Sequence, residues 1–149
     1  MFELSAYSIA ETLIAALKEI RIKNSYHTDA GLNVFHSRQW FDFREIEKYP
    51  ALSLFVTDES LVDFKGCSFK QVINIKIEGY IELSQIKTLY LLASDVKRAL
   101  LSQEYHFTLE YEGHEMNQPD EGSRIGSVQV KFKVTYLEQI MKGVNNGRI

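Results

Sequence analysis

Between Val72 and Leu83 the chain reads VINIKIEGYIEL, and its apolar positions recur at every second residue. Ile73, Ile75, Ile77, Ile81 and Leu83 fall on one side, and Asn74, Lys76, Glu78, Tyr80 and Glu82 on the other. Period-two alternation with β-branched residues on one side predicts a strand with one buried face. The period then changes. Ile86, Leu89, Tyr90, Ala93, Val96, Lys97 and Leu100 fall at helical spacing, which predicts an amphipathic helix running to Leu101 with Ser84 as its cap. About twelve strand residues at ~3.3 Å each span ~40 Å, about the ~40 Å width of a compact chain of this size. Part of this strand is therefore expected to overhang the core, and an overhanging hairpin needs a partner.

The same reading runs along the rest of the chain. Ser5 to Ile22 predicts a helix whose face is Ala6, Ile9, Ala10, Leu13, Ile14, Leu17 and Ile20. Ser8 with Glu11 has capping-box spacing, and Ser5 is an equally good start. Lys18, Arg21 and Lys23 gather at its C-terminal end, where cations suit the helix dipole. Asn24 to Gly31 is a polar connector and Leu32 to Ser37 a short strand. Arg38 to Tyr49 has no clean period; Trp40, Phe41 and Phe43 crowd there, as a cap on the end of the core or as a binding platform. Pro50 opens a strand over Ala51 to Thr57, with Leu52, Leu54 and Val56 inward. Asp58 to Lys70 is the tip between two strands, with Gly66 as its turn residue. Leu61, Val62, Phe64 and Phe69 are unusually apolar for such a tip and are candidates for a subunit interface.

After the second helix, His106 to Glu112 reads as a strand, and Gly113 to Gly126 as a long, mobile polar loop holding Pro119. Within it Met116, Asp120, Glu121 and Arg124 are candidates for docking a partner. Ser127 to Tyr136 alternates cleanly, with Val128, Val130, Phe132, Val134 and Tyr136 on one side. The element order is α-β-β-β-α-β-β. The expected class is α+β: a mainly antiparallel sheet with two helices packed on one face. The opposite face carries Lys, Glu, Gln and Thr and is expected to be wet or to meet a neighbouring subunit. One domain is expected over 1–138, followed by a flexible tail, 139–149.

Composition narrows the function classes. A net charge of −3 over 149 residues gives no reason to expect non-specific nucleic-acid binding. The single cysteine, Cys67, excludes an internal disulfide framework and a Cys-rich zinc site. Glu3 and the lack of a basic n-region argue against a secretory signal, and no apolar run reaches the length of a membrane span. A soluble protein made in the cytoplasm is expected.

Candidate chemistry is sparse. His27, His36, His106 and His114 are scattered, with no HExxH pattern, and the usual phosphate-cradling glycine loops are missing. Ser84 and Lys87 match SxxK without the partner motifs of that enzyme class. Cys67 lies in a predicted hairpin tip with no base placed beside it. A nuclease of the PD-(D/E)xK type would need an acid where Asn74 precedes Ile75 and Lys76. The pairs Asp58–Glu59 and Asp120–Glu121 sit in predicted turns, where solvated acids are common. No catalytic, cofactor or metal residue is expected; a concave pocket lined by His106, Tyr111 and His114 would revive an enzymatic reading.

Several stretches together resemble small phage tail proteins of the tail-terminator, or tail-completion, kind. Leu17-Lys18-Glu19-Ile20 runs into Asn24-Ser25-Tyr26-His27-Thr28-Asp29-Ala30-Gly31 and Val34, similar to the helix and "GY-TDAG" connector of that family. Ser25 stands where glycine is common there. Tyr49-Pro50-Ala51-Leu52-Ser53-Leu54 followed by Asp58-Glu59 resembles its "LPALSV…DE" segment. Ile75 to Tyr80 and Val128 to Tyr136 resemble its later strands, so the likeness covers roughly residues 9–138. The motifs are turns and strand patterns rather than chemistry.

The resemblance implies a virion assembly protein, not an enzyme. It would form a homo-oligomer, a hexameric ring, on the head-proximal end of the tail tube. That ring ends tube polymerisation and presents the surface for head–tail joining. The implied partners are the tail tube protein and a head completion or connector protein, in the virion tail and in the host cytoplasm during assembly. DNA would pass through without specific binding, and no membrane is involved. Asp58, Glu59, Asp63, Glu112 and Glu115, with Asp120 and Glu121, are then candidates for an acidic lumen that repels DNA, with Lys18, Arg21 and Lys23 away from it. The alternatives are another head–tail connector or tail tube component, and, further off, a small enzyme or ligand-binding domain.

Overall fold

The computed structural model of the chain describes residues 4–36, 50–65, 68–82, 86–117 and 125–139. Its elements are α1 (Ala6–Leu17), β1 (Val34–His36), β2 (Ala51–Lys65), β3 (Ser68–Glu82), α2 (Ile86–Leu101), β4 (Thr108–Asn117) and β5 (Ile125–Gln139). The five strands form one sheet in the order β1-β2-β3-β5-β4, antiparallel except for the β1–β2 pair. Two helices and a mostly antiparallel sheet make the α+β class and the order α-β-β-β-α-β-β that the periodicities predict.

The core is the helix-facing side of the sheet. Leu52 and Leu54 of β2, Ile73, Ile75, Ile77 and Ile81 of β3 and Val128, Val130, Phe132 and Val134 of β5 are buried there. They pack against Ile9, Leu13 and Leu17 of α1 and Leu89, Leu92, Val96 and Leu100 of α2. Helix α1 starts at Ser5. The Ser8 amide donates to Ser5 Oγ at 3.1 Å and the Ser5 amide to Ser8 Oγ at 2.9 Å, a reciprocal box that the Ser8–Glu11 spacing does not use. The helix ends at Leu17 rather than Ile22, so Lys18, Arg21 and Lys23 lie beyond it instead of in its last turn. In α2 the buried stripe is rotated from the expected one. Leu92, Asp95 and Ala99 are inside, whereas Tyr90 is 63% exposed. The Ser84 cap lies outside the described residues, as do Trp40, Phe41 and Phe43.

Three expectations about strands are corrected. Residues 58–65 and 68–70 are not a tip: β2 pairs with β3 as far as Lys65 opposite Ser68. Residues 113–117 and 125–126 are not loop: β4 continues to Asn117, paired with Ser127. Gly113 sits in a β-bulge after Tyr111 at φ +112°, a conformation suited to glycine, and Met116 packs against the core. The strand expected over Ser127 to Tyr136 runs from Ile125 to Gln139. The far face of the sheet is not wholly wet. Ala51, Ser53, Glu78 and Tyr80 are buried on it, with Phe35 and Ile125 packed against Ala51 and Tyr80.

Candidate assembly surface

Strands β2, β3 and β5 are 15 residues each, and they outrun everything that flanks them. β1 stops at His36, opposite Leu54, and β4 begins at Thr108, opposite Thr135. Beyond those points β2, β3 and β5 continue side by side as a three-stranded arm, with Ser68 opposite both Lys65 and Gln139. The helices do not follow. Every residue from Thr57 to Asp63 is exposed, whereas Ala51 to Leu54 are all buried. The register carries Thr135 through Val72 to Ser60, so the part of β2 clear of both flanking strands is Leu61–Lys65, which at ~3.3 Å per residue projects about 16 Å. The overhang expected from strand length is therefore present, and it has a third strand that a hairpin lacks.

The arm has two open edges among the described residues: β2 beyond Leu54 and β5 beyond Thr135. Unpaired strand edges are templates for another chain. Here β2 slips register at Thr57 and again at Val62, and Asp58, Glu59 and Asp63 stand along it. Bulges and charges of this kind discourage indiscriminate pairing while leaving the edge available to a matched partner. Leu61, Val62 and Leu137 are 58%, 56% and 56% exposed on the arm. Phe64 stands opposite Phe69 in the register, its side chain outside those described, and Phe69 is half-buried.

Two polar pairs stiffen the arm on the side that faces the helices farther down. Tyr136 Oη donates to Glu59 Oε2, and Gln71 Nε2 donates to Glu138 Oε1. Burial pushes the Tyr136 hydroxyl well above the ordinary tyrosine range, aided by its bond to Glu59 and by the charges of Glu59 and Glu138. On the opposite side Asp58 Oδ1 accepts from Asn74 Nδ2 at 2.7 Å.

The expected acidic set does not form one patch. Glu59 lies on the helix side of the arm, bonded to Tyr136. Asp58 and Glu112 lie on the far face, where Thr57, Asn74, Lys76, Glu112 and Lys131 line a recess of about 220 Å³. Glu115 pairs there with Lys131 at 3.4 Å, and Glu110 with Lys133 at 3.8 Å. Asp63 stands opposite Lys70. Of the docking candidates, Met116 is half-buried in β4; Asp120, Glu121 and Arg124 lie outside the described residues. The acids on the far face are thus interleaved with Lys76, Lys131 and Lys133.

A buried network holds the helix layer, and sequence reading missed it. Asp95 of α2 is fully buried. Its carboxylate accepts from the amides of His27 at 3.0 Å and Thr28 at 2.9 Å and from Thr28 Oγ1 at 2.8 Å. Asp29 accepts from the Ile22 amide at 2.8 Å, and the Gly31 amide donates to Ile20 O at 2.8 Å. Two carboxylates so fold the connector after α1 into a fixed turn. Ser25 within it has φ 70°, the left-handed region that favours glycine. Arg98 lies 4.4 Å over the Tyr26 ring and donates to Ser25 O at 2.5 Å. A lone aspartate interrupting the apolar stripe of α2, with Thr28 in a polar connector, was the available signal.

Beside α2 lies an open groove of about 550 Å³ lined by Ser94, Lys97, Arg98, Leu101, Ser102 and Tyr111. Lys97 Nζ is 5.1 Å from the Tyr111 ring centroid, and Tyr111 Oη is 2.8 Å from His114 Nδ1. The histidines His106 and His114 do not join Tyr111 in lining this groove. Among the described residues no three His, Cys, Asp or Glu side chains gather as metal ligands, and no helix is long and apolar enough to cross a membrane. Compared with known proteins, the chain matches no family model and no curated protein.

Proposed function

We propose that this chain is a ring-forming virion assembly protein of the tail-terminator kind, acting by contact between copies rather than by catalysis. The observation that carries the self-assembly in this reading is the three-stranded arm. A projection of about 16 Å with two open edges among the described residues and exposed Leu61, Val62 and Leu137 is costly to leave in water and is suited to a protein surface. The phage role itself rests on the resemblance in the connector and strand patterns. Ser25 adds to it: its left-handed backbone is the conformation for which glycine, common there in that family, is fitted.

In this reading the arm joins neighbouring copies into a ring that caps the tail tube and offers its other side to the head connector. The test is the purified protein in light scattering and negative-stain electron microscopy. Closed rings of about six copies are the expected particles. Long tubes would replace this reading with a tube component, and a monomer at high concentration would remove self-assembly from it. Leu61→Asp should lower the particle mass while leaving the circular dichroism spectrum unchanged.

A further inference from the structure

The arm and the groove beside α2 have opposite character. The helix-side face of the arm carries Glu59 and Glu138, whose partners are the neutral hydroxyl of Tyr136 and the neutral amide of Gln71. Neither carboxylate has a cationic partner among the described residues. Between and beside them stand Leu61 and Phe69. The groove carries Lys97 and Arg98, has no carboxylate in its lining, and offers Leu101, 48% exposed, as an apolar floor. Acid flanking a leucine on one surface meets cation flanking a leucine on the other. The arm continues the plane of its own sheet, so it cannot fold back onto the groove of its own subunit.

We infer that the groove of one copy receives the helix-side face of the arm of a second copy, with Glu59 and Glu138 against Lys97 and Arg98 and Leu61 against Leu101. This inference rests on the reading that the chain self-assembles, and it names the two surfaces that meet. The surfaces differ, so the contact is head-to-tail and propagates around a ring instead of stopping at a two-fold dimer. The charged pairs set the register of the arm in the groove and speed encounter, and the leucines exclude water at the centre. Rising salt should therefore loosen the assembly.

Sedimentation velocity on the wild type, Glu138→Lys, Lys97→Glu and the double variant tests the pairing. Each reversal alone should weaken association by about tenfold or more, and the double variant should recover most of it. Both residues are half-buried, and unchanged circular dichroism checks that the fold is intact. A wild type that assembles while neither reversal weakens it overturns the inference and leaves the ring reading standing. Single reversals that weaken assembly without recovery in the double variant also overturn it, because the two groups then do not meet. A wild type that stays monomeric at all concentrations removes both.

Discussion

The same three strands behave differently at their two ends. From Ala51 to Leu54 and from Ile73 to Ile81, β2 and β3 lie under helices, and the alternating isoleucines are buried. From Leu61 to Lys65 and from Ser68 to Gln71 the same ladder of hydrogen bonds continues past the ends of β1 and β4. In the body, the buried carboxylate of Asp95 is held by three donors from the connector. In the arm, Asp58, Glu59 and Glu138 each bond to a neutral side chain. Sheet pairing therefore specifies the length of an element, whereas helix cover decides which part of it belongs to the core. What lacks cover is free for another chain.

The largest expected effect breaks the body. Asp95→Ala leaves the His27 and Thr28 amides and the Thr28 hydroxyl without their buried acceptor, and should cost about 3–5 kcal/mol in urea unfolding. Glu138→Ala on the arm should cost under about 0.5 kcal/mol in the same measurement. Equal losses at the two sites would erase the distinction between body and arm. Gly31→Ala comes next. A Cβ there would stand 2.5 Å from Lys18 O and 2.7 Å from Ile20 O, both backbone atoms, so the connector must shift, at about 2–3 kcal/mol. Gly113→Ala meets open space and strains only its φ of +112°, so about 1 kcal/mol is expected. A thermal-unfolding pair with Gly113 as the costlier site would contradict the packing of the connector.

The body was legible because its signals are redundant. Ile73 to Ile81, with Gly79 as the one break, and Val128 to Tyr136 alternate, and the apolar positions of both are buried. The arm reads as a tip for a physical reason. The bulges at Thr57 and Val62 each insert one residue, so period two is lost where Asp58 and Glu59 already resemble a turn. β4 reads as shorter than it is for a similar reason. Gly113, a bulge residue, and the polar His114 and Glu115 read as loop, yet an edge strand needs only one neighbour and tolerates polar residues. Asp95 was missed because a helical period records where a residue points and says nothing about what a distant connector donates to it. Of the candidate site, the apolar positions Leu61 and Val62 are legible, but the bond from the buried Tyr136 hydroxyl to Glu59 is not.

A smaller effect sharpens the comparison within the connector. Ser25→Gly removes the strain of a left-handed serine and should raise stability by about 0.5 kcal/mol, the gain being tempered by the freer unfolded chain. A loss of stability would show that the Arg98 bond to the Ser25 carbonyl depends on the serine side chain. That dependence is not expected, because the bond is to the backbone.

The smallest effect at neutral pH is the one that reads both regions at once. Tyr105, at the body end of α2, donates to Leu100 O at 2.6 Å, and burial, with a further push from Tyr26, raises it to about 12. Tyr136 in the arm is raised too, by burial first and then by Glu59 and Glu138. For a tyrosine the raised value means that the folded state favours the neutral hydroxyl. The contribution of each group is fully present below the unfolded value of 10.0 and is lost as pH climbs through the folded value, about 12 for Tyr105. The fold should therefore be indifferent to these groups at neutral pH and should weaken in strong alkali. Titration followed by tyrosinate absorbance should show Tyr105 and Tyr136 ionising late. Glu59→Gln should bring one of them down, because it removes the carboxylate from Tyr136, and should leave the other in place, because Tyr105 owes its shift to burial in the body. If both late tyrosines moved together on that substitution, arm and body would be a single electrostatic unit, and the separation between them would fail.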